Sequence, residues 1–313
     1  MFRANLLEQF RSFYVRNYPE DMETQIEYFA IFGGLGLEID TSLSITSLIE
    51  ELILKNYKTI NKNIEDLLLS KKEHLRLLRA LAVGDRKIFS AFNRAGLNNI
   101  NGGIALNFLE QKGLIQLEFS REEPARTLNP KGKLKRELSR YRISHKVLFT
   151  HPFLRFWFYF VAPDSKMIEG GNYDNFFKNF KTKQTSYTGL VFEELSEILL
   201  NHNLRDSQIL SSGSYWDANV EIDILTVTQD EKLYVAECKW TNHKVNKSEL
   251  HKLLEKCKKL QIIPTQIILF SKRGFSKELK QLEGKDLALY SCEEFSILVK
   301  NSSNAKLIER TYL

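Results

Sequence analysis

The residues best placed to do chemistry stand in KLYVAECKW, residues 232–240. Leu233, Tyr234, Val235 and Ala236 read as a buried strand, being a short apolar run rich in β-formers. Glu237 and Lys239 then follow within the same pattern. Residues two apart share a strand face, so one face carries a carboxylate beside an ammonium. Burying either group unpaired costs several kcal/mol, on the order of 3–5. A preceding strand candidate, NVEIDILTVT, sets Glu221 and Asp223 on one face, with Ile222 and Ile224 on the other. The short turn QDEK lets the two segments pair as a hairpin, which brings Asp223 near Glu237. Two carboxylates this close repel unless a divalent cation lies between them. Mg²⁺, with Mn²⁺ as its substitute, takes one or two carboxylates together with waters and phosphate oxygens. Such a cation polarises a phosphodiester and activates water. Lys239 would adjoin that water, with its pKa pushed down by the cation, and would orient or deprotonate it. Glu193, on a preceding amphipathic helix starting near Thr188, completes the set. The expected catalytic residues are thus Asp223, Glu237, Lys239 and Glu193, and the expected metal ligands Asp223, Glu237 and Glu193.

A plainer reading makes Glu237 and Lys239 a structural ion pair at a strand end, which leaves Asp223 and Glu193 without a purpose. His243, His251 and Cys257 have no standard zinc spacing. Cys238 faces away from its charged neighbours and reads as a small buried hydrophobe. Lys252 and Lys256 share a face of the next helix, either solvated or with one of them meeting a phosphate. The cysteines, three in number, lack CxxC spacing, which indicates neither a disulfide framework nor a zinc ribbon.

The elements that position these residues follow from periodicity. Residues 1–70 read as helical, broken at GGLG, residues 33–36; without GK[ST] or a complete GxGxxG, those glycines suit a cap or a close-packed turn. Residues 71–150 read as three helices ending at Gly84, Gly96 and Gly113, then a hairpin from LIQLEFS and YRISHKVLFTH. That is the order of a winged helix-turn-helix, whose third helix enters a major groove while the wing meets the backbone. Asn101 and Asn107 lie on the third helix. Lys131, Lys133, Lys135, Arg136 and Arg140 lie in the wing segment NPKGKLKRELSRYR, against the single acid Glu137. These seven residues are the expected nucleic-acid contacts, although asparagines also cap helices and a basic loop also solvates well. HPFLRFWFYFVAP, residues 151–163, is too short to span a membrane and reads as a buried helix at a junction running to residue 185. Residues 186–313 supply helix, three strands, helix and strand, giving an α/β fold with a mixed sheet between helices.

The frame helix, three strands, helix, strand, with a helix glutamate, Asp223 and Glu237-Cys238-Lys239, resembles the PD-(D/E)XK nuclease superfamily of restriction-endonuclease-like folds. HPFLRFWFYFVAP, YTGLVFEE, EIDIL and ECKW in this order further resemble the winged-helix and nuclease-like C-terminal half of archaeal-type ATPases, over about residues 71–275. The resemblance implies a Mg²⁺-dependent nuclease acting on DNA, or a nuclease fold used only for binding nucleic acid or a partner. It also leaves a homodimer and a protein partner open. Two departures stand out. No Walker A loop exists, so ATP hydrolysis is not expected, and Ile222 stands where the superfamily has its proline. With 313 residues, 43% hydrophobic, 27% charged and a net charge of +6, the composition is that of a globular protein able to meet a polyanion. No apolar run is long enough for a membrane span and MFRANLLEQFRSFY is too charged for a signal segment, so a cytoplasmic location is expected.

Overall fold

The computed structural model describes residues 2–124, 141–300, 302, 305–309 and 311–312. The segment carrying Lys131, Lys133, Lys135, Arg136 and Arg140 lies outside the described residues. The chain is α/β, with a helical N-terminal region and a C-terminal mixed sheet, as its periodicity predicts.

Four helices open the chain: α1 (Phe2–Asn17), α2 (Met22–Phe32), α3 (Ile45–Ile49) and α4 (Tyr57–Leu67). The glycine-rich break after α2 is a packing device. Gly34 has φ +89°, and a Cβ there would lie 2.6 Å from the His151 ring, while Phe153 N donates to Gly33 O at 3.0 Å. This turn brings the backbone against the aromatic segment and leaves no room for a phosphate.

Helices α5 (Lys72–Val83), α6 (Ile88–Ala95) and α7 (Asn99–Gln111) pack together and lead into the hairpin β1 (Ile115–Glu118) and β2 (Lys146–Phe149). Asn98 caps α7 by accepting from Asn101 N, and Gly102 lets α7 close on Phe92, whose ring a Cβ would meet at 2.6 Å. The return strand begins at Lys146, later than the Arg142–Ser144 alternation suggests. Then come α8 (Pro152–Phe156), one continuing π-helical turn, α9 (Ser165–Glu169) and α10 (Asp174–Asn203). The aromatic segment is buried as expected, with Phe153, Phe156, Trp157, Phe158 and Phe160 each at most 3% exposed. Rings packed this way offer no stacking platform for bases.

Helix α10 starts at Asp174 rather than near Thr188. Phe176 and Phe180 are buried in the same core as Phe156 and Phe160, and that packing carries the helix through a polar stretch of weak periodicity.

Strands β3 (Ile209–Ser211), β4 (Tyr215–Trp216), β5 (Glu221–Ile222), β6 (Ile224–Thr228) and β7 (Leu233–Lys239) follow. After them come α11 (Lys247–Lys259), β8 (Gln266–Ser271), α12 (Lys277–Lys280), β9 (Leu287–Tyr290) and α13 (Ser296–Val299). The main sheet runs β3-β6-β7-β8-β9, with β3, β6 and β7 antiparallel and β7, β8 and β9 parallel. Two long strand candidates are broken. SQILSSGSYW divides into β3 and β4, and NVEIDILTVT bends at Asp223 into β5 and β6, so that β4 and β5 form a separate small hairpin. No helix among the described residues is long and apolar enough to cross a membrane.

Candidate functional site

The β6–β7 register builds the centre. Ile224 pairs with Ala236, so the next step along each strand sets Asp223 against Glu237. Asp223 sits at the bend itself, and its Oδ2 accepts from Cys238 N at 2.8 Å. The bend turns that carboxylate toward the end of β7 and sends Glu221 elsewhere. Instead of sharing a face with Asp223, Glu221 takes a hydrogen bond from Lys146 Nζ at 2.6 Å.

Glu237 is 7% exposed, and both its oxygens are engaged. Lys239 Nζ donates to Oε1 at 2.7 Å, and Lys256 Nζ, reaching from α11, donates to Oε2 at 2.7 Å. Glu249, one helical turn into α11, lies 3.4 Å from Lys239 Nζ and 2.6 Å from Lys252 Nζ. The cap of α11 fixes this approach, because Asn246 Oδ1 accepts from Ser248 N. Lys239 and Glu237 thus form the expected pair. Spacing singled out Lys256 only as one of two helix cations, and gave no sign of Glu249 joining across from α11.

The acidic neighbours of Glu237 are shifted by their surroundings. Burial, then the charges of Glu193 and Glu237, push the Asp223 carboxyl well above its ordinary value, despite the Cys238 N–H and Lys256. Burial also raises Glu193; the positive Arg86 and Lys146 pull it back, while Glu194 and Glu221 push it up. Burial is the first cause of both shifts, and neighbouring carboxylates add to it at each. Lys239 behaves differently from expectation. Burial disfavours its charge, but the Glu237 hydrogen bond and the charges of Glu237, Asp223 and Glu249 outweigh that and hold its pKa above the ordinary lysine value. The lowered pKa expected beside a cation is not a property of these residues alone. Cys238 is no nucleophile, since burial and then the charges of Asp223 and Glu193 push its thiol up.

The hairpin of the helical module closes one side of this centre. Arg121 donates to Leu225 O at 2.9 Å, Gly213 O at 2.8 Å and Ser214 O at 3.1 Å. Glu118 Oε1 accepts from Ser214 N and Oγ, and Trp216 Nε1 donates to Ser144 O. Lys146 is 2% exposed, with its Nζ 4.4 Å from the Trp216 ring centroid. The base of the hairpin is thereby clamped to the C-terminal sheet. Asn101 and Asn107 are exposed on α7, as are Ile100 and Ile104, and neither asparagine side chain takes part in these contacts. The outer face of α7 carries no lysine or arginine.

All three expected metal ligands offer hard oxygen donors, the chemistry Mg²⁺ and Mn²⁺ require. Among the described residues, however, no group of three or more His, Cys, Asp or Glu side chains is gathered to hold a metal ion. That covers His243, His251 and Cys257 as well.

A family model for archaeal and bacterial proteins of unknown function matches residues 157–253, which include α10, β3 to β7 and the start of α11. No curated protein matches the chain. Among solved structures, the Vibrio cholerae protein VC1899 aligns at 14% identity and a TM-score of 0.30, over 81% of this chain and 58% of that one. This chain thus spans little more than half the length of VC1899, and so low a TM-score supports no argument about fold.

Proposed function

We propose that the chain is a Mg²⁺-dependent hydrolase of DNA phosphodiesters, working at Asp223, Glu237, Lys239 and Glu193. The observation that carries this reading is the crowding at Asp223, a carboxyl raised by burial and then by the charges of Glu193 and Glu237, with Glu193 itself raised by burial. Half-buried carboxyls gathered side by side suit a site that gains a positive ion. Asp223 and Glu237 would hold it, with Glu193 alongside, and once bound it would supply a polarised phosphate and an activated water. Lys239 and Lys256 each hold one oxygen of Glu237 and would be released when those oxygens take another partner. Lys239, on the face it shares with Glu237, then lies free to donate to a phosphate oxygen and to hold the attacking water. Lys256 adds a second positive charge from α11 against the phosphodiester. Asp223 is fixed through one oxygen by the Cys238 N–H, which leaves its other oxygen as the candidate ligand.

A second reading uses the same fold for binding alone, as a nucleic-acid-binding or scaffold protein. It is favoured by the double ion pair on Glu237, which satisfies that carboxylate without any ligand, and by the apolar Ile100 and Ile104 on α7.

The test is incubation of purified protein with supercoiled plasmid, linear duplex and single-stranded DNA in Mg²⁺, Mn²⁺ or EDTA, beside Asp223→Ala. Hydrolysis requires a divalent ion and falls at least about a hundredfold in the variant, the scale of losing one stabilising group at a reacting centre. DNA bound but never cut supports the binding reading. Cleavage surviving Asp223→Ala removes the assignment altogether.

A further inference from the structure

On the far side of α10 lies a pocket of about 410 Å³, lined by Arg11, His202, Arg205, Ile297 and Lys300. Three elements converge there: Arg11 from α1, His202 from the last turn of α10 with Arg205 just beyond it, and Lys300 at the end of α13. Three of the five lining residues are permanent cations, the fourth is a histidine, and no lining residue is acidic. Among the described residues, Arg11, Arg205 and Lys300 have no carboxylate ion-pair partner. Like charges are not normally gathered in a concave site without a counter-charge, because their repulsion destabilises the fold.

One of the cations is also held in place. Arg11 Nε donates to Leu298 O at 2.6 Å, which anchors the guanidinium and leaves its terminal nitrogens for another acceptor. His202 feels the result: burial and then the charges of Arg205 and Arg11 lower its pKa. The C-terminal end of α10 contributes only about half a negative charge, too little to neutralise three cations.

The geometry points to a binding site for a phosphate group in this pocket, one that takes a small phosphate-bearing anion. Arginine pairs and a lysine around a concave surface match the tetrahedral oxygens of phosphate. A volume of about 410 Å³ is that of a small-ligand site. The site is separate from the carboxylate centre. His202 lies nine residues after Glu193 on α10, about 13 Å along the axis and about half a turn round it. It therefore stands independently of the proposed hydrolase activity.

The test is calorimetric titration of the full chain with inorganic pyrophosphate at constant ionic strength in EDTA, beside the double variant Arg205→Ala/Lys300→Ala. Both substituted side chains are exposed, so the fold is retained. The expected result is saturable one-to-one binding, weakened at least tenfold in the variant and unchanged in Asp223→Ala. On binding, the His202 imidazole resonance should shift toward its protonated position, because an anion offsets Arg11 and Arg205. Competition separates two sources of the same chemistry. Displacement of pyrophosphate by a 5′-phosphorylated oligonucleotide, and not by its 5′-hydroxyl form, assigns the pocket to a nucleic-acid end, whereas failure of both assigns it to a free phosphate anion. Absence of saturable binding, or equal binding by the double variant, overturns the proposal.

Discussion

Two buried charge clusters in this molecule are near mirror images. Where the N-terminal helices meet the C-terminal sheet, one lysine serves two carboxylates: Lys272 Nζ lies 2.7 Å from Glu27 and 3.2 Å from Glu23. At the end of β7, one carboxylate serves two lysines, with Glu237 2.7 Å from both Lys239 and Lys256. The Lys272 cluster is closed. Arg273 takes the second oxygen of Glu23 at 2.7 Å, and the Lys272 ammonium lies 4.9 Å from the Trp240 ring centroid. The Glu237 cluster is not closed, since Asp223 and Glu193 stand beside it as carboxyls raised first by burial, with Glu193 and Glu237 adding to the shift of Asp223. Complete pairing joins two parts of a fold, whereas the incomplete pairing at Asp223 and Glu193 is what the proposed cation site rests on.

The largest effect that would break this contrast comes from the closed cluster. Lys272→Met leaves Glu23 and Glu27 without their shared partner and should destabilise the chain by about 3–5 kcal/mol. Urea unfolding reads this loss, and Mn²⁺ binding by the folded fraction should be unaffected. Next comes the clamp between hairpin and sheet. Arg121→Ala removes a half-buried guanidinium's bonds to three backbone carbonyls and should cost about 2 kcal/mol in the same assay.

The open cluster should respond with the opposite sign. The folded-state pKa of Asp223 lies above its ordinary value of 3.8, so its contribution favours folding at low pH and is lost as pH rises through the raised value. Thermal unfolding without divalent ions should therefore show the wild type losing stability, relative to Asp223→Asn, as pH climbs from 4 toward neutrality, with Mg²⁺ reversing the trend. A flat difference between the two proteins would close the contrast. The smallest effect belongs to the solvated rim. Lys252→Ala removes an exposed partner of Glu249 and should change stability by less than about 1 kcal/mol.

Much of the architecture was legible because it is written in local pattern. The glycines at 84, 96 and 113 punctuate α5 to α7, and the apolar run of β7 with its intruding Glu237 and Lys239 marks the centre. The bend at Asp223 was not legible, since Val220, Ile222 and Ile224 alternate as one strand would. It is the clamping of β4 and β5 to Lys146, Ser144 and Glu118 that breaks the pattern, and those partners lie about 70 to 100 residues away in sequence. The early start of α10 escaped for a related reason: Phe176 and Phe180 are held by tertiary packing in a stretch with little amphipathic period of its own. Among the site residues, Asp223 and Glu237 follow from strand pairing alone. Lys256 and Glu249 become specific only once α11 crosses the end of the sheet.

The central claim is that the charge left over at Asp223 and Glu193 is the seat of a divalent cation. Its most direct test is calorimetric titration of Mn²⁺ into the wild type and Asp223→Asn at neutral pH, with stability of both checked alongside. The account predicts one saturable site in the wild type, lost in the variant although the variant is folded and no less stable. Equal binding by both proteins, or none by either, would contradict it.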